Sequence, residues 1–315
     1  MHALRGKVGR MRQEVSSERV GVLLALFAAL GFSLKAIFVK LAYAWPVGAV
    51  TLIALRMLLS LPVFAWVGWK SGKRAPALSG RDKWMLALLG LLGYYGSTLL
   101  DFVGLQYISA GLERLILYTY PTFTVLIAVI VFKKRLSGRE MLSILLSYAG
   151  IAFAFAHDLN MGGQGHAVWI GAGLVLASSL CYALYLTGSA PMIARLGSAR
   201  FTALCMLVST LGVLLHFAVS QPLTALILPW QVYALGVAMA VFSTVLPVFM
   251  LSVAIRRIGA SRTVLIGAIG PMGTIFFGWW WLKEAISLHQ MIGAALVLAG
   301  VLLVSLEGRP GGGKK

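Results

Sequence analysis

Acidic residues are scarce in this 315-residue chain, which has 9 Asp and Glu against 27 Lys and Arg. Charged residues of both signs make up only 11% of the sequence, whereas 60% is hydrophobic and the mean hydropathy is +0.90. A soluble domain rarely exceeds about 50% apolar residues. The composition therefore excludes an ordinary soluble protein and indicates one that lies in a membrane.

Cysteine and histidine are too few or too scattered for several kinds of site. The two cysteines, Cys181 and Cys205, lie within apolar runs and suggest no disulfide framework. Of the five histidines, only His216 lies well inside an apolar segment, and the others fall at or near segment ends or in the N-terminal region. The sequence contains no Walker A stretch, dinucleotide-binding glycine motif or zinc-protease helix. We therefore expect no catalytic residue, no metal, no cofactor and no ATP-driven activity within this chain.

Ten apolar segments are each long enough for a membrane-spanning helix, which needs roughly 20 residues. They are 20–44, 47–69, 83–105, 111–132, 138–157, 166–190, 198–219, 229–253, 260–282 and 286–306. The connections between them are short and leave no room for a separate soluble domain. We therefore predict an all-α integral membrane protein with ten transmembrane helices.

The Lys and Arg residues are concentrated in alternate connections between the predicted helices. A net charge of +18 could indicate nucleic-acid binding. However, 22 of the 27 Lys and Arg lie in six segments that alternate with loops nearly free of them. Those segments are 5–19, 70–83, 133–139, 195–200, 256–262 and the tail from 309. This is the positive-inside pattern, which predicts that both termini are cytoplasmic and removes the argument for a nucleic-acid partner.

The second half of the sequence repeats the first at an offset of 150 residues. SAGLERLILYTYPTFTVLIAVIVFKKRLSGREMLSILLSYAG aligns without a gap with GASRTVLIGAIGPMGTIFFGWWWLKEAISLHQMIGAALVLAG. The identical pairs that apolar composition does not explain include Pro121/Pro271, Lys133/Lys283, Ser137/Ser287 and Gly150/Gly300. Five helices in each half place the halves in opposite orientations. Such inverted repeats are typical of secondary transporters, whose site lies near mid-membrane between the halves.

Four regions follow from this division. Residues 1–19 form a basic cytoplasmic segment, 20–157 the first five-helix repeat, 166–306 the second, and 307–315 a flexible cytoplasmic tail. An A-x-A stretch at 42–44 resembles a signal-peptidase site. The apolar region before it is over 20 residues long and holds two lysines, so we expect an uncleaved first helix.

The sequence resembles the EamA family of the drug/metabolite transporter superfamily over nearly its whole length. In the first half the resemblance rests on LGFSLKAIFVKLAYAWPVGAVTLIALRMLLSLP, with Lys40, Pro46 and Arg56 on the family pattern. In helices 9 and 10 it rests on GPMGTIFFGWWWLKEAISLHQMIGAALVLAGVLL. The residues on pattern there are Pro271, Glu284, Gln290, Gly293 and Gly300. Two departures are Lys134, where the family often has Glu, and LGFS, where a Trp-Gly-Ser/Thr run is usual.

This resemblance implies ten helices in two inverted halves. It also implies export of amino acids, nucleosides or other small metabolites. The matching motifs specify the fold better than the substrate. An amino-acid exporter of the YddG type is the specific expectation.

Charged side chains inside the predicted helices are the first candidates for a site. A charge at mid-bilayer costs about 2.5 to 3.5 kcal/mol, so it usually faces a partner or a wet cavity. At 1.5 Å per residue, Lys35 and Arg56 lie roughly 12 to 13 Å from the outer ends of their helices, and Asp101 about 6 Å. We expect Lys35 or Arg56 to face an outward-opening cavity, paired with Asp101 or contacting a substrate carboxylate. Glu113 and Arg114 are predicted to be a solvated pair at the start of helix 4.

Aromatic residues near the helix breaks are the second group. Pro121 removes a backbone donor and frees the carbonyl one turn earlier, and Pro271 repeats the break among glycines in helix 9. The candidates are Tyr118, Tyr120, Tyr182, its repeat equivalent Phe32, and Tyr95. We predict that they line a cavity for an amphipathic small molecule at the repeat interface. Ordinary helix packing is the alternative interpretation.

The predicted function is therefore a secondary transporter that exports small metabolites across the cytoplasmic membrane by alternating access. Aromatic or other neutral amino acids are the first substrate class, and nucleosides, other metabolites or drugs are the alternative. A channel or a membrane enzyme is the alternative type of protein. The predicted partners are the small-molecule substrate and membrane lipid. Proton antiport and facilitated diffusion both remain open, as do monomer and dimer.

Overall fold

The computed structural model describes residues 2–73, 76–133, 137–161 and 165–307. Helix accounts for 87% of the residues that the structure describes, and those residues form no strand. The all-α prediction is confirmed. Lys134 and the predicted flexible tail, apart from Glu307, lie outside the described residues.

Fourteen α-helices occupy the described residues. They are α1 (His2–Ala42), α2 (Ala49–Gly72), α3 (Gly80–Gly90), α4 (Ser97–Gly104), α5 (Ala110–Leu117), α6 (Tyr120–Phe132), α7 (Gly138–Met161), α8 (Gly165–Leu196), α9 (Ser198–Ser220), α10 (Trp230–Ala240), α11 (Leu246–Ile258), α12 (Ala260–Gly267), α13 (Gly270–Leu282) and α14 (Leu288–Glu307). Two π-helical segments, Leu91–Gly96 and Val241–Val245, join α3 to α4 and α10 to α11. A short 3-10 helix, Leu223–Leu226, precedes α10.

Eight helical stretches within the described residues are long and apolar enough to cross a membrane. They are Glu18–Ala42, Ala49–Gly72, Gly80–Gly104, Ala110–Val131, Gly138–Ala156, His166–Leu196, Ser198–Ser220 and Trp230–Ile258. A shorter apolar helix, Leu288–Leu303, follows within α14. The segment predicted as the ninth helix is divided between α12 and α13, because helical geometry is interrupted just before Pro271.

The two halves share their irregularities. The third helix of each half contains a π-helical segment, and the fourth helix of each half breaks two or three residues before its proline. Lys133 and Lys283 end those fourth helices in left-handed conformations, with φ of 52° and 57°. Because non-glycine residues rarely adopt positive φ, this agreement supports the duplication independently of residue identity.

The fifth helices of the two halves, α7 and α14, cross in antiparallel directions. Gly150 faces Gly293, and Ser143 Oγ donates to the carbonyl of Gly300 at 2.6 Å. An offset of 150 residues relates Gly150 to Gly300 and Ser143 to Gly293. The two contacts are therefore equivalent under a two-fold axis perpendicular to the helices. Equivalent helices must run antiparallel in an inverted repeat.

Each half inserts its first helix into the other half. Helix α1 packs against α11 and α13, and the equivalent helix α8 packs against α4 and α6. The second helices, α2 and α9, pack against each other. Side chains on α1 and α8 therefore lie at the junction between the repeats, where the site of such a fold is expected.

Hydroxyl groups satisfy the carbonyls that the two prolines free. Pro121 cannot bond to Leu117, and Ser179 Oγ of α8 donates to that carbonyl at 3.1 Å. Pro271 likewise frees the carbonyl of Gly267, which accepts from Tyr118 Oη at 2.9 Å. Membrane helices tolerate such breaks where side chains re-satisfy the backbone. Each break is thus connected to the opposite half.

Glu284 connects the halves near the start of α5. Its carboxylate oxygens accept from the backbone N–H of Ala110 at 3.1 and 3.2 Å. Ser109 Oγ caps the same helix by accepting from Leu112 N–H at 3.1 Å. Free N–H groups at a helix start favour a negative charge, so this contact holds α5 against the segment that follows α13.

We expect Gly293→Ala to lower stability, because its Cβ would lie 2.4 Å from the carbonyl oxygen of Gly150. Overpacking of this kind costs about 1–3 kcal/mol, and membrane helices depend on small residues for close approach. Thermal unfolding in detergent measures the effect. Gly173→Ala is the control, because a Cβ there meets nothing within 4 Å and the helix gains about 0.5–1 kcal/mol from alanine. Equal melting temperatures for the two variants would contradict the tight crossing.

Candidate functional site

Lys35 lies between two acids at the junction of α1, α4 and α5. Its Nζ is 2.5 Å from Asp101 Oδ2 and 3.6 Å from Glu113 Oε1. The Asp101 and Glu113 side chains are 1% and 0% exposed, and that of Lys35 is 17% exposed. The structure pairs Lys35, rather than Arg56, with Asp101, which is one of the arrangements that the sequence left open. Such a buried pair offsets a large desolvation cost.

The prediction that Glu113 and Arg114 are solvated is wrong, because both side chains are buried. Helix α5 starts inside the bundle, where Glu284 of the other half caps Ala110 across 174 positions of sequence. No local pattern reveals a contact of that range. Consequently Asp101 has a second buried acid beside the same ammonium group.

Arg56 of α2 is also buried, but its hydrogen bonding is weaker than that of Lys35. Its Nη2 donates to Thr98 Oγ1 at 3.4 Å, and its guanidinium carbon lies 5.3 Å from the centre of the Phe102 ring. Its Nε has no hydrogen-bond partner among the described residues. A buried guanidinium with an unused donor can receive an anionic group that enters the bundle.

A run of tyrosines connects this charged cluster to α8. The Arg114 guanidinium lies 5.6 Å from the Tyr118 ring centre, and Tyr118 lies 6.0 Å from Tyr120. Tyr120 meets Tyr182 edge-on at 5.1 Å, and Tyr182 stacks on Tyr185 at 5.8 Å. Aromatic pairs at these separations attract each other by about 0.5–1.5 kcal/mol. Three predicted candidates therefore belong to one continuous aromatic surface.

The tyrosine run continues to Tyr94 in the first π-helical segment. Tyr185 lies 5.2 Å from the Tyr94 ring centre, and its hydroxyl donates to the Tyr94 hydroxyl at 3.2 Å. A Cβ on Gly93 would lie 2.3 Å from the Tyr185 ring, so this close approach requires glycine. Tyr185 was not among the predicted residues, because a glycine in the sequence does not indicate which ring packs against it. π-helical segments occur frequently at functional sites.

Two predicted candidates lie apart from this run. Tyr95 points to α9, where its hydroxyl is 2.9 Å from His216 Nδ1. Phe32 is half-buried on α1, and no ring contact recorded among the described residues includes it. The structure thus brings together Lys35, Asp101, Tyr118, Tyr120 and Tyr182, with Arg56 nearby.

The site combines buried charges of both signs with an adjoining aromatic surface. Such a combination can bind a small molecule that has a charged end and an apolar end. In the part of the chain that the structure describes, no group of three or more His, Cys, Asp or Glu is placed to hold a metal ion. The residues that do meet at the site can contact charged groups and ring surfaces of a small molecule.

Several known proteins similar to this chain are named as transporters. It is 31% identical over 296 residues to the "uncharacterized transporter YcbK" of Bacillus subtilis, covering 90% of this chain and 91% of that protein. It is 26% identical over 241 residues to a "probable terminal-alkyne amino-acid exporter" of Streptantibioticus cattleyicolor, covering 74% and 76% of the two chains.

A crystal structure of another protein has the same fold. The two structures agree with a TM-score of 0.63 at 18% identity, over 92% of this chain and 97% of that chain. The sequence model of the EamA-like transporter family matches twice, over residues 19–156 and 169–306. Since these matches cover most of the sequence, the chain belongs to the EamA-like transporter family.

Proposed function

We propose that this protein is a secondary transporter that exports small metabolites across the cytoplasmic membrane by alternating access. Aromatic or other neutral amino acids are its first substrate class. The observation that carries this proposal is the joining of buried charges of both signs to a tyrosine surface between the two halves. An amino acid has complementary parts, namely an ammonium, a carboxylate and a side chain.

The carboxylate and the side chain of the substrate each have a place in this arrangement. The carboxylate would approach Arg56, whose Nε has no hydrogen-bond partner among the described residues. An aromatic or aliphatic side chain would lie on the tyrosine run that includes Tyr120 and Tyr182. The distant relative from Streptantibioticus cattleyicolor, named as an amino-acid exporter, supports the same substrate class.

Alternating access would arise from rocking of one half against the other. Tyr118 Oη bonds to Gly267 in the opposite half, and Ser179 bonds to Leu117 across the same junction. Single hydrogen bonds from hydroxyl groups can break and re-form one at a time, whereas a continuous apolar core has to separate as a whole. The two helix breaks would therefore act as the flexible points around a site near mid-membrane.

The proposal includes ten membrane-spanning helices with both termini in the cytoplasm. Helices α12 with α13, and α14, would complete the ten. Membrane lipid surrounds the bundle, and the mechanism requires neither nucleic acid nor a cofactor. Two kinds of alternative would replace this proposal. The protein could export nucleosides or other metabolites, or it could be a channel or a membrane enzyme.

The topology can be tested at the two ends of α9. In a background without Cys181 and Cys205, we expect Ser220→Cys in intact cells to react with a membrane-impermeant maleimide from outside. Ser198→Cys should react only in inside-out vesicles, because it adjoins the basic segment 195–200. Both positions are exposed, so the pair is matched. The reverse labelling pattern would invert the proposed orientation.

Counterflow into liposomes tests the function itself. We expect liposomes that contain the purified protein and are preloaded with unlabelled phenylalanine to accumulate labelled phenylalanine transiently. Only a carrier that exchanges one molecule for another produces this overshoot. Protein-free liposomes give the baseline. Folded protein that shows no counterflow with any amino acid would remove the amino-acid proposal, and counterflow with a nucleoside would replace it.

Arg56→Met tests the binding of the substrate carboxylate. We expect the apparent affinity for the exchanged amino acid to fall at least about tenfold, since a charge-assisted hydrogen bond contributes about 1.5–3 kcal/mol. Among the described residues Arg56 makes one hydrogen bond, a long one of 3.4 Å to Thr98, so its loss should disturb folding little. Lys40→Met, which removes a half-buried cation near the end of α1, is the matched control. An unchanged affinity in Arg56→Met would exclude Arg56 as the carboxylate contact.

A further inference from the structure

Glu113 is a buried acid without a donor. It lies on the first turn of α5, is 0% exposed, and has no hydrogen-bond partner for either carboxylate oxygen among the described residues. Lys35 Nζ lies 3.6 Å away, beyond hydrogen-bond distance, while the same ammonium is 2.5 Å from Asp101. One lysine is therefore shared unequally by two acids.

The other charged and titratable groups around these acids have their own contacts. The Arg114 guanidinium lies over the Tyr118 ring, and Arg56 Nη2 bonds to Thr98. Tyr43 Oη, near the end of α1, donates to the carbonyl of Phe102 at 2.6 Å.

Glu284 lies across the start of α5, where its carboxylate accepts from Ala110 N–H. None of the surrounding groups within the described residues donates to Glu113.

Two negative charges around one ammonium are costly in this position. A buried carboxylate that lacks a donor carries a penalty of several kcal/mol. A second ionised acid adds repulsion that the low dielectric of the interior barely screens. Acids that share a small site commonly reduce this cost by keeping one proton between them. A proton on Glu113 would leave the Lys35–Asp101 pair intact and neutral.

We propose that Glu113, with Asp101 and Lys35, binds the proton that this carrier exchanges for the substrate it exports. The proposal rests on the proposed function, because a proton can be exchanged only if a substrate is carried. Chemically it is a simple protonation, in which one O–H bond forms at the Glu113 carboxylate on uptake and breaks on release.

The position of the three residues explains how a proton could alter access. Lys35 is on α1, which packs into the second half against α11 and α13, whereas Asp101 and Glu113 are on α4 and α5 of the first half. When Glu113 is neutral, Lys35 is held by Asp101 alone. When Glu113 loses its proton, the ammonium is drawn toward α5 as well. The proton thus changes how tightly α1, α4 and α5 are held together.

Infrared difference spectroscopy tests the proton site without any substrate. We expect the purified protein in lipid to show a protonated carboxyl band that titrates between acidic and alkaline buffer, and Glu113→Gln to lose it. Glu140→Gln is the matched control, because Glu140 is also buried but caps α7 by accepting from Ser137 N–H at 2.8 Å. Glutamine serves equally in such a cap. Absence of the band from the wild type, or its persistence in folded Glu113→Gln, would overturn the proposal.

Gradient-driven transport tests the exchange. For the amino acid that gives counterflow, a difference of one pH unit should drive about tenfold accumulation if one proton is exchanged per molecule. Glu113→Gln should abolish the response to the gradient, Glu113→Asp should restore part of it, and Glu140→Gln should retain it. Wild-type counterflow that ignores the gradient would overturn the proton exchange while leaving the proposed carrier intact.

Discussion

A carbonyl freed inside a membrane must find a donor, because no bulk water is available there to replace the lost hydrogen bond. Pro121 and Pro271 each free one carbonyl, and the donors come from Ser179 and Tyr118 across the junction of the halves. This constraint determines where the repeats meet. It also places a tyrosine hydroxyl and a serine hydroxyl beside the helix breaks that the two halves share at an offset of 150 residues.

The duplication supplies a symmetric scaffold that the two halves use differently. The first half contributes Lys35, Asp101 and Glu113, whereas the positions 150 residues after Lys35 and Glu113 are Tyr185 and Thr263. Charge is therefore concentrated on one side of the pseudo-two-fold axis. The second half contributes aromatic rings, and also glycines that allow Tyr118 to approach closely. A Cβ on Gly270 would lie 2.4 Å from the Tyr118 hydroxyl. A substrate with different ends needs such an asymmetric site.

Much of the architecture could be predicted because hydropathy, loop charge and the repeat are local or periodic signals. The eight stretches long enough to cross a membrane match predicted segments. The cost of an unpaired charge in lipid made Asp101 one expected partner for Lys35 or Arg56, and the structure places it beside Lys35. Glu113 was misplaced because helix-start acids are usually solvated. Only the contact between Glu284 and Ala110 reveals that this helix begins inside the bundle.

In the candidate site, too, some features could be predicted from the sequence and others could not. The sequence by itself determined that the chain is a helical membrane protein built from two halves, and that a few charges and tyrosines lie within its helices. Only the tertiary structure decided which of them meet: Tyr182 with Tyr120, Tyr95 with His216, and Glu113 with Lys35. The physical reason is that spacing along one helix defines its faces, whereas the neighbour of each face depends on how the inverted halves pack.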